Sequence, residues 1–509
     1  MIMGNGRRLI RGAFILTAAG LLTRMIGFFY RIFLSHAIGA EGMGIYQLIF
    51  PLNMLCYALT VMGIQTAISR FVSAKMALED PQGANSTFAV GTIYSLLLSG
   101  VTAWILYRFA PFLSEKILME PRTLPMLKLM ACSIPMGVIH TCVSGYFFAR
   151  KKTGPPAISQ LLEQTARVAA TYLAYTVMLS KGLTPTPVIA VIGMICGELV
   201  SMLFSLTAVI WNLQAQDFSL GSIRQPVKIL KDILPMSAPV TANRVLLTLL
   251  NSVEAILIPS RLRLSGLSAK QALSIYGTLN GMAMPLVLFP STITNAVSVM
   301  LLPSVSEAQA RGNMRTIRWT VASTLKYCLL LGIFSTGLFF FYGPRLGLYL
   351  FHNKDAGLFI RILSFICPFL YLDATLSSIL QGLGKTGMCF VNNTLGVSLR
   401  ICMILFVVPF QGIQGYLWGL LASELLLAAL DMGVLRHYCQ VQFDTICWLV
   451  KPAAAMGISL GCTFFFANIL QILHSLPALI SLGIEMCICS ALYLVILACM
   501  GIIWPQKDP

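Results

Sequence analysis

The chain has 509 residues, of which 57% are hydrophobic and only 10% charged, with a mean hydropathy of +0.82 and a formal net charge of +17. A soluble protein of this length carries about 25% charged residues, so this composition excludes an ordinary soluble enzyme or binding domain. The apolar residues fall into blocks long enough to cross a hydrocarbon core of about 30 Å. The sequence therefore predicts an all-α polytopic membrane protein.

About fourteen apolar blocks are predicted to form transmembrane helices, joined by short connections. In chain order, the predicted spans cover residues 10–34, 45–70, 87–107, 124–148, 157–180, 187–211, 232–259, 273–302, 320–342, 357–382, 388–409, 412–435, 446–471 and 476–502. The basic start of the first block is typical of a secretory signal, but Arg24 interrupts its apolar run and no cleavage site of small residues follows. We therefore interpret this block as an uncleaved first span.

Lysine and arginine are distributed unevenly between the two sets of connecting loops. With the N-terminus inside, the inner connections carry more of these residues than the outer ones. The positive-inside rule therefore predicts a multi-pass protein of the cell membrane with both termini in the cytoplasm. Loops that face anionic lipid headgroups account for most of the net positive charge, so we expect the phospholipid bilayer as a partner and no nucleic acid.

An internal repeat relates the two halves of the chain. Residues 135–167 align with 368–400 without a gap; both contain a Lys-Thr-Gly triplet, and they end on Arg167 and Arg400. The alignment matches spans four and five to spans ten and eleven, which predicts a duplication of six spans in parallel orientation with the substrate path between the copies. The predicted domains are an N-lobe over 1–212 with spans one to six, a cytoplasmic linker over 213–231, a C-lobe over 232–436 with spans seven to twelve, and 437–509 with spans thirteen and fourteen and a C-terminal tail.

Motifs for chemistry are weak in this sequence. The stretch GLGKTG at 382–387 is similar to a phosphate-binding loop, but Ile379 stands where the full pattern requires glycine. The five histidines are scattered over separate segments, and the 14 cysteines lie mainly inside spans without a CxxC pair. We therefore expect no enzyme activity, no catalytic residue, no metal site and no cofactor.

Two arginines interrupt the first apolar block, at Arg24 and Arg31. An arginine at the centre of a transmembrane helix costs about 2.5–3.5 kcal/mol on insertion scales, so such a residue needs a reason. Seven residues at 100° each return to within about 20° of the same helix face. The seventh span repeats this spacing with Arg244 and Asn251. Corresponding helices of the two halves thus each carry a polar stripe that contains an arginine.

These arginines have two competing explanations: they pair with buried acids to hold helices together, or they line a water-filled cavity. The candidate acid partners within spans are Glu163, Glu198, Glu254, Asp373, Glu424 and Asp431. Glu163 precedes Arg167 by four residues, a favourable local spacing that we interpret as a structural pair. No acid lies nearby on the helices of Arg24, Arg31 or Arg244, which favours the cavity for them.

A cavity lined by arginines suits an anionic cargo, because guanidinium groups bind phosphate in a bidentate way. Other polar side chains within spans would add hydrogen bonds to a polar headgroup. The predicted substrate-binding residues are Arg24, Arg31, Arg244, Asn251, Gln65, Asn280 and Asn295. These residues predict a transporter whose substrate has a phosphate or carboxylate headgroup.

The segment 16–75, which reads LTAAGLLTRMIGFFYRIFLSHAIGAEGMGIYQLIFPLNMLCYALTVMGIQTAISRFVSAK, resembles the opening of SpoVB-type proteins of spore-forming Firmicutes. These proteins belong to the multidrug/oligosaccharidyl-lipid/polysaccharide exporter superfamily, together with MurJ-type lipid II flippases and Wzx-type flippases. The rest of the chain matches mainly in layout. The resemblance implies a MATE/MurJ-like fold of two six-helix lobes plus two C-terminal helices.

The resemblance also implies a function. It implies flipping of an undecaprenyl-pyrophosphate-linked glycan from the inner to the outer leaflet by alternating access, with the lipid II-type precursor of spore cortex peptidoglycan as the expected cargo. MurJ-type flippases carry RxxGFxRD in the first span. Here Arg24, Gly27 and Phe28 match, whereas the second arginine is displaced by one position to Arg31 and no acid follows. Arg244 is the intramembrane candidate for the further cavity arginine that the family implies.

The expected partners are the lipid-linked oligosaccharide and the bilayer, with cell-wall synthases as further candidates. No ATP site is recognisable, so the driving force is the membrane potential, an ion gradient or consumption of the product. The candidate residues for ion coupling in the second half are Glu254, Asn392, Asn393 and Glu424.

Three other functions compete with the flippase. A MATE-like drug or cation antiporter on the same fold would require acids in its cavity, and the first span has none. A non-transporting membrane scaffold for cell-wall synthases would have its intramembrane arginines paired and its cavity collapsed. A polyprenyl-linked glycosyltransferase would require paired carboxylates in a soluble loop.

Overall fold

The computed structural model describes residues 2–214, 223, 225–439, 443–469 and 477–502; the side chains of 2–14, 299 and 466–469 are not described. Residues 215–222 and 224 of the predicted linker, residues 440–442, 470 and 471 of the predicted last domain and thirteenth span, residue 476 at the start of the last span, and the tail from 503 lie outside the described residues. Within the described part the chain is helical throughout, apart from its connections.

The helices follow one another through short connections. The α-helices are α1 (Ile2–Tyr57), α2 (Gly63–Ala77), α3 (Pro81–Phe112), α4 (Leu124–Ala149), α5 (Gly154–Ser180), α6 (Val188–Gln214), α7 (Pro226–Leu264), α8 (Ala269–Gly277), α9 (Met284–Val287), α10 (Ser291–Ala310), α11 (Met314–Phe351), α12 (Lys354–Leu363), α13 (Cys367–Gly382), α14 (Thr386–Phe406), α15 (Val408–Gln411), α16 (Ile413–Cys439), α17 (Lys451–Ile469) and α18 (Ala478–Cys499). Short π-helical segments cover Ala58–Met62, Leu113–Ile117, Thr278–Ala283 and Ile446–Val450, and 3-10 turns cover Pro121–Thr123 and Ser364–Ile366.

Among the described residues, 11 helical stretches are long and apolar enough to cross a membrane, or 12 if one pair bent by 64° counts as a single span. The prediction of an all-α polytopic membrane protein is confirmed, whereas the count of fourteen is not. One reason is that Ile15–Ala77 is a single stretch of 63 residues that contains the first two predicted spans. Another is that α5 is helical over 27 residues but carries a polar run that includes Glu163 and Arg167, and α5 is not among the 11 stretches.

A glycine bends the first long helix. Gly39 has φ 68° and ψ 179°, outside the helical region, so α1 consists of two limbs. Only glycine adopts this conformation without steric cost. Beyond the bend, α8 packs against α1 with backbone contact, because a Cβ at Gly44 would lie 2.1 Å from the carbonyl oxygen of Leu273. The bend therefore sets the direction in which the second limb of α1 crosses its neighbours.

The chain divides into two compact units. Unit 1 consists of Met1–Ser260 with Ala269–Gly277, and unit 2 consists of Arg261–Ser268 with Thr278–Pro509. Unit 1 thus includes most of α7 and all of α8 in addition to α1–α6. The lobe boundaries that the internal repeat predicts describe the relation between two stretches of sequence, and they stay a prediction.

Unit 1 has its core around α4. Met126, Met130, Ile134 and Val138, spaced four residues apart on one helix face, are fully buried. Helices α5 and α6 approach closely because α6 has no side chain at the contact: a Cβ at Gly193 would lie 1.9 Å from the Thr171 hydroxyl oxygen of α5. A glycine at such a contact lets two helices approach closely.

Unit 2 has its core between α10, α11, α13 and α16. The largest contributions come from aliphatic side chains that are almost completely buried. They are Val305, Ile317, Val321, Leu325, Leu376, Ile379, Leu380 and Leu435. On α11 and α13 the spacing of three and four residues is that of helices packed along one apolar stripe.

Candidate functional site

Arg31 lies on the first limb of α1, beside α5. The hydroxyl of Tyr30, the preceding residue, makes a 3.2 Å hydrogen bond with the hydroxyl of Thr171 on α5. This contact, together with the tilted ring contact of Phe33 with Tyr172 at 5.8 Å between centroids, holds the limb against α5. Arg31 is half-buried at this contact, and its guanidinium group is close enough to that of Arg167 for the two charges to repel.

Arg167 itself is held by acids of unit 1. It forms an ion pair with Glu163 one turn earlier on α5, and it donates a 3.3 Å hydrogen bond to Gln164. The structural pair predicted from the spacing of Glu163 and Arg167 is therefore confirmed. Glu198 on α6 is buried, accepts a 3.1 Å hydrogen bond from the Tyr57 hydroxyl, and attracts Arg167 electrostatically. The second carboxylate oxygen of Glu198 has no hydrogen-bond partner among the described residues.

Arg31 differs from Arg167 in its surroundings. Within the described ranges Arg31 makes no ion pair. The groups that interact with its charge are Arg167 and the hydroxyls of Tyr30 and Tyr46. A guanidinium group inside a membrane-spanning helix is costly unless water or an anion reaches it. Two neighbouring guanidinium groups create a positive potential that attracts an anion.

The other predicted substrate-binding residues of α1 and α7 also lie in unit 1. Arg24, on the same face of the first limb as Arg31, is exposed. Arg244 and Asn251 on α7 are both exposed, and Arg244 makes no ion pair in the part of the chain that the structure describes. The α7 helix is tied to α1 by a 3.2 Å hydrogen bond from the Ser252 hydroxyl to the Pro51 carbonyl.

Gln65, Asn280 and Asn295 lie at three different places. Gln65 on α2 is half-buried in unit 1 against Gly145 of α4. Asn280 and Asn295 belong to unit 2: the former lies in the π-helical segment Thr278–Ala283, and the latter donates a 3.4 Å hydrogen bond to Ser291. Their role in a shared cavity stays a prediction.

A buried polar cluster of unit 2 contains Asn392, a predicted ion-coupling residue, with Asp431 and Asp373, two of the candidate acid partners of the arginines. Asn392 on α14 donates a 2.7 Å hydrogen bond to Asp431 on α16, and both side chains are buried. The second carboxylate oxygen of Asp431 has no hydrogen-bond partner among the described residues, and neither has Oδ1 of Asp373 on α13. The two carboxylates repel each other electrostatically. Asn393 donates a 2.9 Å hydrogen bond to the backbone carbonyl of Cys389.

The remaining ion-coupling candidates are placed differently. Glu424 on α16 forms a 3.2 Å ion pair with Arg400 on α14, so Arg400 finds its acid on another helix. Glu254 is buried on α7 and belongs to unit 1, whereas the other three candidates belong to unit 2. Among the described contacts of these four candidates, that of Asn392 leads to a buried acid, Asp431, with a carboxylate oxygen that has no hydrogen-bond partner.

One polar cluster was not predicted from the sequence. His140 on α4 lies within hydrogen-bonding distance of the hydroxyls of Ser201, Ser159 and Ser205, at 2.7, 2.9 and 3.2 Å. These serines are on α5 and α6, so the cluster ties three helices together inside unit 1. No local spacing signals it, because its members come from three separate helices. Within the described ranges no group of three His, Cys, Asp or Glu side chains is placed to hold a metal ion.

Unit 2 also carries an apolar groove of about 820 Å³ between α10, α11 and α18. Aromatic and aliphatic side chains form most of its wall. They include Val297, Leu301, Tyr327, Phe334, Tyr493 and Leu494. A groove of this chemistry accepts a hydrocarbon chain.

Comparison with known proteins gives matches over most of the chain. A family model described as "Polysaccharide biosynthesis protein" matches residues 9–309. Stage V sporulation protein B of Bacillus subtilis (strain 168) is 26% identical over 469 residues, which cover 89% of this chain and 90% of that protein. The lipid II flippase MurJ of the same organism is 24% identical over 487 residues, which cover 89% of this chain and 88% of that protein.

A solved structure has the same fold. The lipid II flippase MurJ in an inward closed conformation superimposes with a TM-score of 0.73 at 13% identity, over 96% of this chain and 98% of that chain. The resemblance to SpoVB-type proteins and the MATE/MurJ-like fold class are thus confirmed.

Proposed function

Because the chain belongs to the polysaccharide biosynthesis protein family, we propose that it is a transporter that flips a lipid-linked glycan from the inner to the outer leaflet by alternating access. The name of the relative MurJ, a lipid II flippase, supports this class of cargo. The name of the relative stage V sporulation protein B supports the lipid II-type precursor of spore cortex peptidoglycan as the cargo. The proposed location is the cell membrane with both termini in the cytoplasm, and cell-wall synthases are the proposed protein partners.

The observation that carries the proposal is the surroundings of Arg31. A half-buried arginine inside a membrane-spanning helix makes no ion pair with any described residue and lies next to the charge of Arg167. A pyrophosphate group supplies the negative charge that this position lacks, and it accepts bidentate hydrogen bonds from guanidinium. Arg24 on the same helix face, with Arg244 and Asn251 on α7, are the proposed further contacts.

The apolar groove of unit 2 supports a lipid-linked cargo. A polyprenyl chain is entirely hydrocarbon, and the groove between α10, α11 and α18 offers aromatic and aliphatic walls over about 820 Å³. Such a groove holds part of the chain in apolar surroundings while the charged headgroup occupies a polar site elsewhere. A soluble polar cargo would have no use for it.

The proposed energy source is an ion bound at the polar cluster of unit 2. Arg400 attracts the Asp373 carboxylate, so the carboxylate that a proton or a cation would neutralise is that of Asp431. Asp431, which Asn392 orients, has an oxygen available for this role; Asn393, Glu254 and Glu424 remain further candidates. Flipping measured in proteoliposomes with imposed sodium or proton gradients should respond to one gradient in the wild type and to neither in Asp431→Asn; an unchanged response in Asp431→Asn would remove this assignment.

The rival functions make different use of the same residues. An antiporter of cations needs acids where its cargo binds, whereas the first limb of α1 presents Arg24 and Arg31. A scaffold without transport needs its intramembrane arginines paired, whereas Arg31 and Arg244 make no ion pair with the described residues. The surroundings of these arginines therefore favour the flippase.

Complementation tests the proposal. A conditional strain depleted of its lipid II flippases would express the wild type, Arg31→Ala, Arg31→Lys or the control Arg311→Ala, with membrane levels checked by blot. Arg311 is an exposed partner of Glu307, so its removal takes away one positive charge outside the proposed site. We expect rescue by the wild type and by the control, weak rescue by Arg31→Lys and none by Arg31→Ala. Full rescue by Arg31→Ala would disprove the role of Arg31, and failure of the well-expressed wild type would disprove lipid II as the cargo.

A further inference from the structure

A second polar pocket lies in unit 1, at the end of α2. Its volume is about 700 Å³, and residues of α2, of the end of α4 and of α7 line it. The polar members are Gln65, Thr66, Ser69, Arg70, Ser73 and Lys151. Lys151 belongs to the α4–α5 connection, and the distribution of lysine and arginine predicts that this connection faces the cytoplasm.

The two cations of the pocket have hydrogen-bond donors to spare. Arg70 is exposed and makes one described contact, a weak 3.7 Å approach to the Met236 sulfur. The Lys151 side chain is exposed and makes no ion pair with any described residue; its backbone N–H donates a 3.0 Å hydrogen bond to the Phe148 carbonyl. No acid lines the pocket. Five N–H donors of a guanidinium group, an ammonium group and several hydroxyls face one space without an acceptor of opposite charge.

Neighbouring cations at the same end of unit 1 are used differently. Arg150 donates a 2.6 Å hydrogen bond to the Tyr146 hydroxyl and another to the side-chain oxygen of Asn212. Lys75 donates a 3.3 Å hydrogen bond to the Gly83 carbonyl. These two side chains therefore stabilise the protein itself. Arg70 and Lys151 stand apart from them because no such contact holds their charge.

The shape of the pocket restricts its ligand. Phe148, Ala149 and Met236 form an apolar wall beside the two cations. Gly145 leaves the pocket open toward α2, since a Cβ there would lie 3.0 Å from Cγ of Gln65. A ligand that matches both surfaces combines a phosphate group, which pairs with guanidinium and ammonium, with an adjoining apolar part.

We propose that this pocket binds the phosphate group of an anionic lipid at the cytoplasmic end of unit 1. The site is distinct from the surroundings of Arg31, which lie where α1 meets α5. In so far as it serves transport, the inference rests on the proposed flippase function: the pocket then captures the phosphate-bearing lipid in the inner leaflet before the headgroup moves to Arg31. Binding of a phosphate group itself does not depend on that function.

The test measures binding to the purified full-length chain in neutral detergent. A fluorescent phosphatidic acid serves as the lipid phosphate, and inorganic phosphate serves as the soluble competitor. We expect the double variant Arg70→Gln/Lys151→Gln to weaken lipid binding at least fivefold. The charge-preserving double variant Arg70→Lys/Lys151→Arg should retain it. Lys152→Gln, a change of the adjacent exposed lysine that does not line the pocket, is the matched control and should leave binding unchanged.

The outcomes separate the two proposals and the two phosphate sources. Equal binding by the wild type and the Arg70→Gln/Lys151→Gln variant, when both unfold at the same temperature, would overturn the pocket assignment whatever complementation shows. Displacement of the lipid by inorganic phosphate at low millimolar concentration would overturn the lipid as ligand in favour of a free phosphate. Arg31→Ala should bind phosphatidic acid like the wild type. Failure of the well-expressed wild type to complement, with its lipid binding intact, would contradict the flippase function alone.

Discussion

The two units pair an arginine with an acid in different ways at equivalent positions of the internal repeat. Arg167 of unit 1 has its acid, Glu163, one turn away on α5, and Arg31 of α1 adds a second positive charge beside it. Arg400 of unit 2 has a glycine at the corresponding place and reaches Glu424 on α16 instead. Arg167 and Arg400 each have an acid partner, whereas the added Arg31 makes no ion pair with the residues that the structure describes.

A second difference concerns the acids. In unit 1, Glu198 is held by Tyr57 and attracted by Arg167. In unit 2, Asp431 and Asp373 lie near each other, and each has a carboxylate oxygen without a hydrogen-bond partner among the described residues. Under the proposed function this contrast is a division of labour, in which unit 1 would offer positive charge to an anionic headgroup and unit 2 negative charge to a cation or proton.

The largest expected effect comes from removing the acid of either pair. Glu424→Gln and Glu163→Gln each leave a partly buried guanidinium group without its ion-pair partner, which should lower the free energy of unfolding by about 3 kcal/mol. Glu307→Gln removes an exposed acid of the same local spacing and should cost less than about 1 kcal/mol. Thermal unfolding in detergent, followed by dye labelling of buried cysteines, measures all three. Equal stability of the three variants would show that the buried pairs do not hold the helices.

An intermediate effect is expected when Arg400 of unit 2 is given an acid one turn away on its own helix, as Arg167 has in unit 1. Gly396 stands where unit 1 has Glu163, and a Cβ there would lie 3.8 Å from its nearest neighbours, so a side chain can be added. In the Glu424→Gln background, Gly396→Glu should restore about 1.5 kcal/mol by giving Arg400 a charged hydrogen-bond partner one turn away.

The control for this exchange is Gly396→Ala in the same background, which adds a side chain without a charge. It should restore only the roughly 0.5–1 kcal/mol that replacing a helical glycine by alanine gives, less than the glutamate variant. If the alanine variant recovers as much as the glutamate variant, helix propensity rather than pairing explains the gain.

The smallest expected effect on stability belongs to Arg31. Because Arg31 makes no ion pair with the described residues, Arg31→Ala should change the free energy of unfolding by less than about 0.5 kcal/mol. Arg167→Ala, in contrast, breaks the pair with Glu163 and should lower both stability and transport. The same unfolding assay, combined with complementation, separates the two arginines. A large loss of stability in Arg31→Ala would assign Arg31 to the support of the helix bundle.

Local features of the chain were predictable from sequence. The apolar blocks predicted helices, and the pairing of Glu163 with Arg167 was predictable because four residues bring side chains together on any helix. The bend at Gly39 was not predicted, since the surrounding residues favour a helix and only the backbone shows its left-handed conformation. The helical stretch that contains this bend, Ile15–Ala77, is counted once although it holds two predicted spans, which is one reason why the predicted count is not confirmed.

Contacts between side chains of different helices could not be predicted from the sequence. The pairing of Arg400 with Glu424, and of Asn392 with Asp431, depends on how α14 and α16 are rotated against each other. Periodicity defines which face of a helix is apolar, but not which polar residue of another helix it meets. For this reason the ion-coupling residues suggested from sequence included Glu424, which is engaged by Arg400, and omitted Asp431.

The most direct measurement is binding of undecaprenyl pyrophosphate to the purified chain in detergent, compared between the wild type, Arg31→Ala and Arg311→Ala. The account predicts that Arg31→Ala raises the dissociation constant at least tenfold, about 1.4 kcal/mol of binding free energy, while Arg311→Ala binds like the wild type. Equal binding by all three proteins would contradict the claim that Arg31 holds the anionic headgroup.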